Sequence, residues 1–140
     1  MSGMADEFIV SSVKEAIHFV RQARHDEAFA RYQILFDAAQ FAAAPIESRR
    51  QALKLMVNAK PESATLSAPA VAAFQSAWAA LNQLVEAGQQ AQDYDLLAVT
   101  HLRLGDPAGA KQVLETGLAA AHGRNDAEGS GLLLKRLSSL

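Results

Sequence analysis

The sequence predicts an all-α protein, on the basis of three observations. Half of the 140 residues are hydrophobic, which is enough for a core, and the common residues are good helix formers. The apolar residues recur at spacings of three and four, as on one face of a helix. Val, Ile and Thr never gather into the alternating run typical of a strand. We therefore expect one helical domain over residues 1–140, with residues 1–5 loosely ordered.

The first two predicted helices form a hairpin. The first runs from about Asp6 to Ala23, and a tight turn at residues 24–26 leads to the second, from Glu27 to about Ala42. The residues expected to face inward are Phe8, Ile9, Val13, Ala16, Ile17 and Val20 in the first helix and Ala28, Tyr32, Leu35, Phe36 and Ala39 in the second.

The third and fourth helices are separated by a loop. Pro45 interrupts the chain, and the third helix is expected from Glu47 or Ser48 to about residue 59. Residues 60–68 are small, polar and contain proline, which predicts a loop. The fourth helix runs from residue 67 or 68 to about 88 and carries Trp78. Core packing is the simpler interpretation of Trp78, and an exposed Trp78 would instead be a candidate interface anchor.

The stretch from Tyr94 to His122 contains the clearest hairpin. Gly105 can adopt the left-handed conformation that ends a helix, Asp106 can cap the next helix, and Pro107 suits its first position. The second helix of this hairpin is expected to bury Ala110, Val113, Leu114, Gly117, Leu118 and Ala121.

A short last helix follows Gly123, which predicts a helix end. Asn125 with Glu128 three residues later predicts a capping box, and the helix continues to about Ser138. The chain then has about seven helices: three antiparallel αα-hairpins and a C-terminal helix that caps the last apolar face.

The hairpin at Tyr94–His122 resembles a tetratricopeptide repeat, a family of helical hairpins with a period of about 34 residues. The family's aromatic, leucine, small and aromatic slots hold Tyr94, Leu97, Ala98 and His101, and its second-helix slots hold Ala110, Leu114 and Gly117. His101 stands where the family has tyrosine, and His122 stands where it has proline. The resemblance implies a right-handed stack of hairpins, with a compact helical bundle as the alternative.

Several function classes find no support in the sequence. The net charge of −2 argues against general nucleic-acid binding. No apolar run is long enough to cross a membrane, and the N-terminus has no signal-peptide pattern, so we expect a cytoplasmic protein without a membrane partner. The absence of cysteine excludes disulfides and thiol chemistry.

No catalytic motif is present either. The four histidines lack the H-x-x-x-H spacing of a zinc site, and the carboxylates are scattered. Neither Gly129-Ser130-Gly131 nor the segment from Gly105 to Gly109 has the context of a nucleophile elbow or a phosphate loop. We expect no enzyme, metal or cofactor, although a deep pocket in which His101 meets a carboxylate would favour an enzyme or a ligand-binding protein.

The resemblance places candidate partner-binding residues on the first helix of each hairpin. The family's carboxylate clamp requires lysine and asparagine in slots that hold Val13 and Ile17, so the resemblance favours an amphipathic helix or an apolar peptide over an acidic tail. The candidates are Val10, Val13, Ile17, Val20 and Arg21 in the first hairpin and Gln92, Asp95, Val99, Leu102 and Arg103 in the last.

A second candidate surface is basic. Arg49, Arg50 and Lys54 share one side of the third helix, and Arg21, Arg24 and Arg31 precede them. This group is either a solvated face or a strip that pairs with an acidic peptide.

Two functional hypotheses remain. The favoured one is a non-enzymatic interaction module, a scaffold or adaptor that binds a peptide or helix of another protein. The alternative is a self-associating structural domain, in which Leu133, Leu134 and Leu137 pair across the two-fold axis of a homodimer.

Overall fold

A computed structural model describes residues 2–59 and 65–140. The predicted all-α class is confirmed, since the described residues form helices without strands. Eight helices lie in these ranges: α1 Ser2–Arg21, α2 His25–Asp37, α3 Ala39–Ala43, α4 Ile46–Val57, α5 Ala68–Gly88, α6 Ala91–Arg103, α7 Pro107–Gly123 and α8 Ala127–Ser138. The chain divides into two compact units, Met1–Ala80 and Leu81–Leu140, and the division falls within α5.

In the first unit, α1 packs against α2, α3 and α4. Helix α1 begins at Ser2 rather than at Asp6, and its buried residues are Ile9, Ser12 and Ala16. Their spacing of three and four defines the face of α1 that meets the core. Helix α2 contributes a larger apolar set to this core: Ala28, Tyr32, Leu35 and Phe36.

The prediction of one helix from Glu27 to Ala42 is wrong, because the chain breaks at Ala38. Ala38 is extended, with φ −74° and ψ 139°, and α3 starts at the next residue. The break turns the chain so that the ring of buried Phe41 packs edge-on against Phe36, with ring centroids 5.3 Å apart. Ala39, expected in the core, is exposed as a result.

The next two helices begin close to the predicted positions. Helix α4 starts at Ile46, directly after Pro45, and ends at Val57. Residues 60–64 of the predicted loop lie outside the described residues. Helix α5 starts at Ala68, and the hydroxyl of Ser67 accepts a hydrogen bond from the backbone N–H of Ala70 at 3.3 Å.

In the second unit, the predicted hairpin of α6 and α7 is confirmed. Gly105 has φ +79°, and the carboxylate of Asp106 accepts from the backbone N–H of Gly109 at 3.0 Å. Ala98 and Ala110 are fully buried, so the two backbones approach closely at small side chains. Helix α8 packs against both α6 and α7 and inserts Leu133 into their core.

The predicted start of the last helix is wrong in its details. Asn125 adopts φ +56°, and Asp126 is the cap, accepting from the backbone N–H of Gly129 at 2.9 Å. The Asn125–Glu128 capping box therefore does not form. Gly123 is still helical, and the left-handed residue that ends the α7 turn is Asn125.

Three of the helix connections share one backbone geometry. In each, a residue with positive φ precedes the cap, and the cap N–H donates to the carbonyl five residues earlier. These bonds join Arg24 to Phe19 at 2.8 Å, Asp106 to His101 at 2.8 Å, and Asp126 to Ala121 at 2.9 Å. The same turn is thus built once from alanine, once from glycine and once from asparagine at the left-handed position.

Candidate protein-interaction surface

Helix α1 carries an apolar stripe beside its buried face. Val10, Val13, Ile17 and Val20, here called the α1 stripe, follow one another at spacings of three, four and three. Val10 is 51% exposed and Val20 is 45% exposed, while Val13 and Ile17 are partly buried. At 1.5 Å per residue the stripe is about 15 Å long. The stripe is therefore open to solvent at its two ends and partly covered in the middle, and an apolar surface of this kind on a helix is a candidate interaction site.

Charged residues border one edge of the α1 stripe at intervals of seven. They are Glu7, Lys14 and Arg21, and all three are exposed. Within the described part of the chain, none of them forms an ion pair with another side chain. The edge therefore presents one negative and two positive charges to solvent, with the negative charge near the helix N-terminus.

Part of the predicted basic group pairs with carboxylates of the chain itself. The guanidinium of Arg24 is hydrogen-bonded to Glu27 and lies 4.7 Å from the centre of the Phe19 ring. Arg31 pairs with Glu15 at 2.8 Å. The hydrogen bond to Glu27 raises the pKa of Arg24. Arg24 and Arg31 therefore each form an ion pair with a carboxylate of the same unit.

The members of this group on α4 differ in exposure. Arg50 is buried and pairs with Glu47 at 2.6 Å. A hydrogen bond from Gln51 and the charge of Arg50 lower the pKa of Glu47. Arg49 is partly buried and Lys54 is exposed. Of the three cations on α4, only Lys54 is therefore exposed, and the solvated face and the strip for an acidic peptide both stay predictions.

The candidate residues on α6 do not form an open surface. Val99 is buried, and Asp95 is buried in a two-pronged ion pair with Arg136, with hydrogen bonds of 2.8 and 3.1 Å. The hydrogen bond to Asp95 raises the pKa of Arg136. Leu102 and Arg103 are partly buried, which leaves Gln92 as the exposed member. Substitution of Val99 would thus test folding rather than binding.

His101 does meet a carboxylate, at the turn between α6 and α7. Its Nδ1 lies 3.0 Å from Asp106 Oδ2, while Asp106 Oδ1 caps α7. The N–H of Gly109 and the hydrogen bond from His101 lower the pKa of Asp106. Asp106 is exposed, so the pair sits at the protein surface and not in a deep pocket. It fixes the turn between the helices.

The described ranges contain neither a metal-binding cluster nor a membrane-spanning helix. Within residues 2–59 and 65–140, no three His, Cys, Asp or Glu side chains are grouped to hold a metal ion. None of the described helices is both long and apolar enough to cross a bilayer.

The structure corrects the predicted burial of several large apolar side chains. Trp78, expected in the core, is 43% exposed on α5. Leu133 is fully buried while Leu134 is exposed, so the proposed pairing face on α8 is not continuous. Ile34 and Leu55 are exposed and were not singled out from the sequence. The charged edge of α1 was also missed, although the spacing of Glu7, Lys14 and Arg21 is visible in the sequence.

In comparisons with protein-family models, curated proteins and solved structures, no match to this chain was found.

Proposed function

We propose that this chain is a non-enzymatic protein-interaction module of tetratricopeptide-like architecture, whose α1 stripe binds an amphipathic helix. The observation that carries the proposal is the exposure of Val10 and Val20 at the two ends of one continuous apolar stripe. Leaving such side chains in water forgoes the favourable burial of apolar surface, which a docked helix would recover.

The repeat-like arrangement is supported by the second unit. Small residues at Ala98 and Ala110 allow α6 and α7 to nest, and α8 covers both helices as the first helix of a following repeat would. The common turn at Arg24, Asp106 and Asp126 is a further regularity that a repeated hairpin would produce. The proposal is that both units are built from hairpins of this kind.

The spacing of the α1 stripe defines the chemistry of its occupant. Side chains at intervals of three and four on one helix are matched by apolar anchors at the same intervals on another helix. The charges at Glu7 and Arg21 favour an occupant with a basic residue near one end and an acidic residue near the other. No catalytic step is assigned, since the cap of α7 accounts for the pair of His101 and Asp106.

Site-specific photocrosslinking in cells that produce the protein tests this proposal. A photoreactive phenylalanine analogue replaces Val10 in one variant and Val20 in another. The matched control carries it at Ile34, which is similarly exposed on α2. We expect discrete protein adducts from Val10 and Val20 and none of the same size from Ile34. The proposal fails if the two stripe positions give no adduct, or the same adducts as Ile34.

A further inference from the structure

We infer that the helix bound by the α1 stripe is helix α1 of a second copy of this chain, in an antiparallel two-fold pairing. This inference rests on the proposed function and specifies the partner. It follows from the symmetry of the stripe itself, since a two-fold contact requires one surface that is complementary to its own copy.

The apolar residues satisfy that requirement. Val10 and Ile17 occupy one heptad position, and Val13 and Val20 occupy the other position of a helix–helix seam. A two-fold axis beside residue 15 places Val10 opposite Val20 of the second copy and Val13 opposite Ile17 of the second copy. The seam then consists of four layers of facing side chains, and each layer contains one residue from each heptad position. The two-fold axis relates these layers in pairs.

The charges select the same orientation. Glu7 and Arg21 lie fourteen residues apart, which is about 21 Å along the helix axis, too far for a pair within one helix. In the antiparallel dimer Glu7 of each copy lies opposite Arg21 of the other, so two ion pairs flank the apolar seam. In a parallel two-fold pairing the two charged edges would lie on opposite sides of the seam, so these ion pairs would not form.

Lys14 is the one unfavourable feature of this edge. It lies next to the two-fold axis, so the two copies bring their Lys14 side chains to the same place. Because these side chains are long and exposed, their ammonium groups can separate in solvent. We expect Lys14→Gln to tighten the dimer, whereas an interface elsewhere on the protein would not respond.

The other exposed apolar residues give no comparable surface. Ile34 and Trp78 lie singly on α2 and α5, and Ile46 and Leu55 lie nine residues apart on α4. On α8 the exposed Leu132 and Leu134 flank Leu133, which is fully buried. A single pair of helices provides an interface at the small end of specific contacts, below about 1,200 Å². We therefore expect reversible dimerisation of the full chain at micromolar concentrations.

Charge reversal measured by sedimentation equilibrium tests the pairing. Glu7→Lys alone and Arg21→Glu alone should each weaken dimerisation by about tenfold or more, because each creates like-charge contacts. An equimolar mixture of the two variants should form heterodimers with affinity near that of the wild type. The double variant Glu7→Lys, Arg21→Glu should also dimerise. Since Glu7 and Arg21 cannot meet within one helix, a restored dimer affinity requires that they make contact between copies.

The apolar seam has its own matched pair of variants. Val10→Asp should abolish the dimer, while Ile34→Asp, on α2, should leave it unchanged. Helix content by circular dichroism identifies any variant that does not fold. If Val10→Asp does not fold, the charge variants provide the test.

The two proposals fail in different ways. A wild-type chain that stays monomeric at millimolar concentration, or a variant mixture that does not restore dimers, overturns the inference. If the photocrosslinker at Val10 then captures a different protein, the proposed function stands without it. An adduct of two copies joined between the segments around Val10 and Val20 supports both.

Discussion

Replacing Gly117 by alanine is expected to weaken the packing of α6 on α7, although alanine is the better helix former. Gly117 lies inside α7 and faces the ring of Tyr94. A methyl group there would lie 2.6 Å from Tyr94 Cγ and 2.8 Å from Tyr94 Cβ. Because a Cβ atom is fixed to the backbone, rotation of the ring cannot relieve the contact, and the two helices must separate.

Two terms of similar size decide the outcome. Alanine in place of glycine inside a helix stabilises by about 1 kcal/mol. Forcing an extra methyl group into a packed contact costs about 1–3 kcal/mol. The sum is a destabilisation of about 0–2 kcal/mol. The gain in helix propensity applies to any glycine inside a helix. A second helical glycine can therefore isolate the packing cost.

Gly131 provides this control. It lies inside α8, and a methyl group there would meet nothing within 4 Å. Gly131→Ala should therefore stabilise the protein by up to about 1 kcal/mol. The unfolding free energies of the two variants should differ by about 1–3 kcal/mol, the packing cost alone. Urea denaturation followed by far-UV circular dichroism measures both values.

The comparison can refute the reasoning directly. If Gly117→Ala is as stabilising as Gly131→Ala, then α6 and α7 do not approach each other as closely as the structure places them. The nesting of these helices, on which the repeat-like interpretation depends, would then be wrong.

Three further outcomes are expected. Leu114→Ala should cost about 2–5 kcal/mol in urea denaturation, and Leu55→Ala, which removes a half-exposed side chain, less than about 1 kcal/mol. Because the pKa of Asp106 is lowered on folding, its stabilisation is complete above its ordinary pKa and is lost as the pH falls through the lowered value. Asp106→Asn keeps a capping oxygen and should flatten the acid side of a stability–pH profile, and an unchanged profile would contradict this. Arg136→Met should cost about 1–3 kcal/mol, because the buried Asp95 carboxylate loses two hydrogen bonds. A loss near zero would mean that water replaces the arginine.

The hairpin of α6 and α7 was predictable because its signals are local. Gly105, Asp106 and Pro107 each act on the backbone within a few residues, through φ, a capping oxygen and a missing N–H. The last helix was harder to place, because Asn125 and Asp126 are adjacent and both are good caps. Three-dimensional geometry decided between them, since Asn125 takes the left-handed conformation and leaves Asp126 to cap.

The break at Ala38 was not predictable from local pattern. Residues 27–42 contain neither glycine nor proline, and Ala38 and Ala39 favour a continuous helix. The helix ends because Phe41 packs against Phe36, and that contact requires a change of direction. Burial of a large aromatic side chain outweighs the small propensity of the alanines.

The candidate surface was predicted in part. The resemblance to a tetratricopeptide repeat placed Val13, Ile17 and Arg21 on a possible binding side of α1, and these residues stay candidates. The same reasoning placed Val99 and Asp95 on such a side of α6, where they are buried. A repeat pattern gives the direction of a side chain relative to its own helix, but whether a neighbouring helix covers it depends on packing across the unit.

The sequence by itself determined the helical class, the hairpin turn and the positions of small residues, because these depend on bonds and contacts within a few residues. Only the tertiary structure decided which apolar residues remain in solvent. Val10 and Leu97 are equally apolar in the sequence, yet one is half exposed and the other is buried. Burial depends on residues distant in the chain, and the exposed apolar residues that remain define the surface proposed here for interaction.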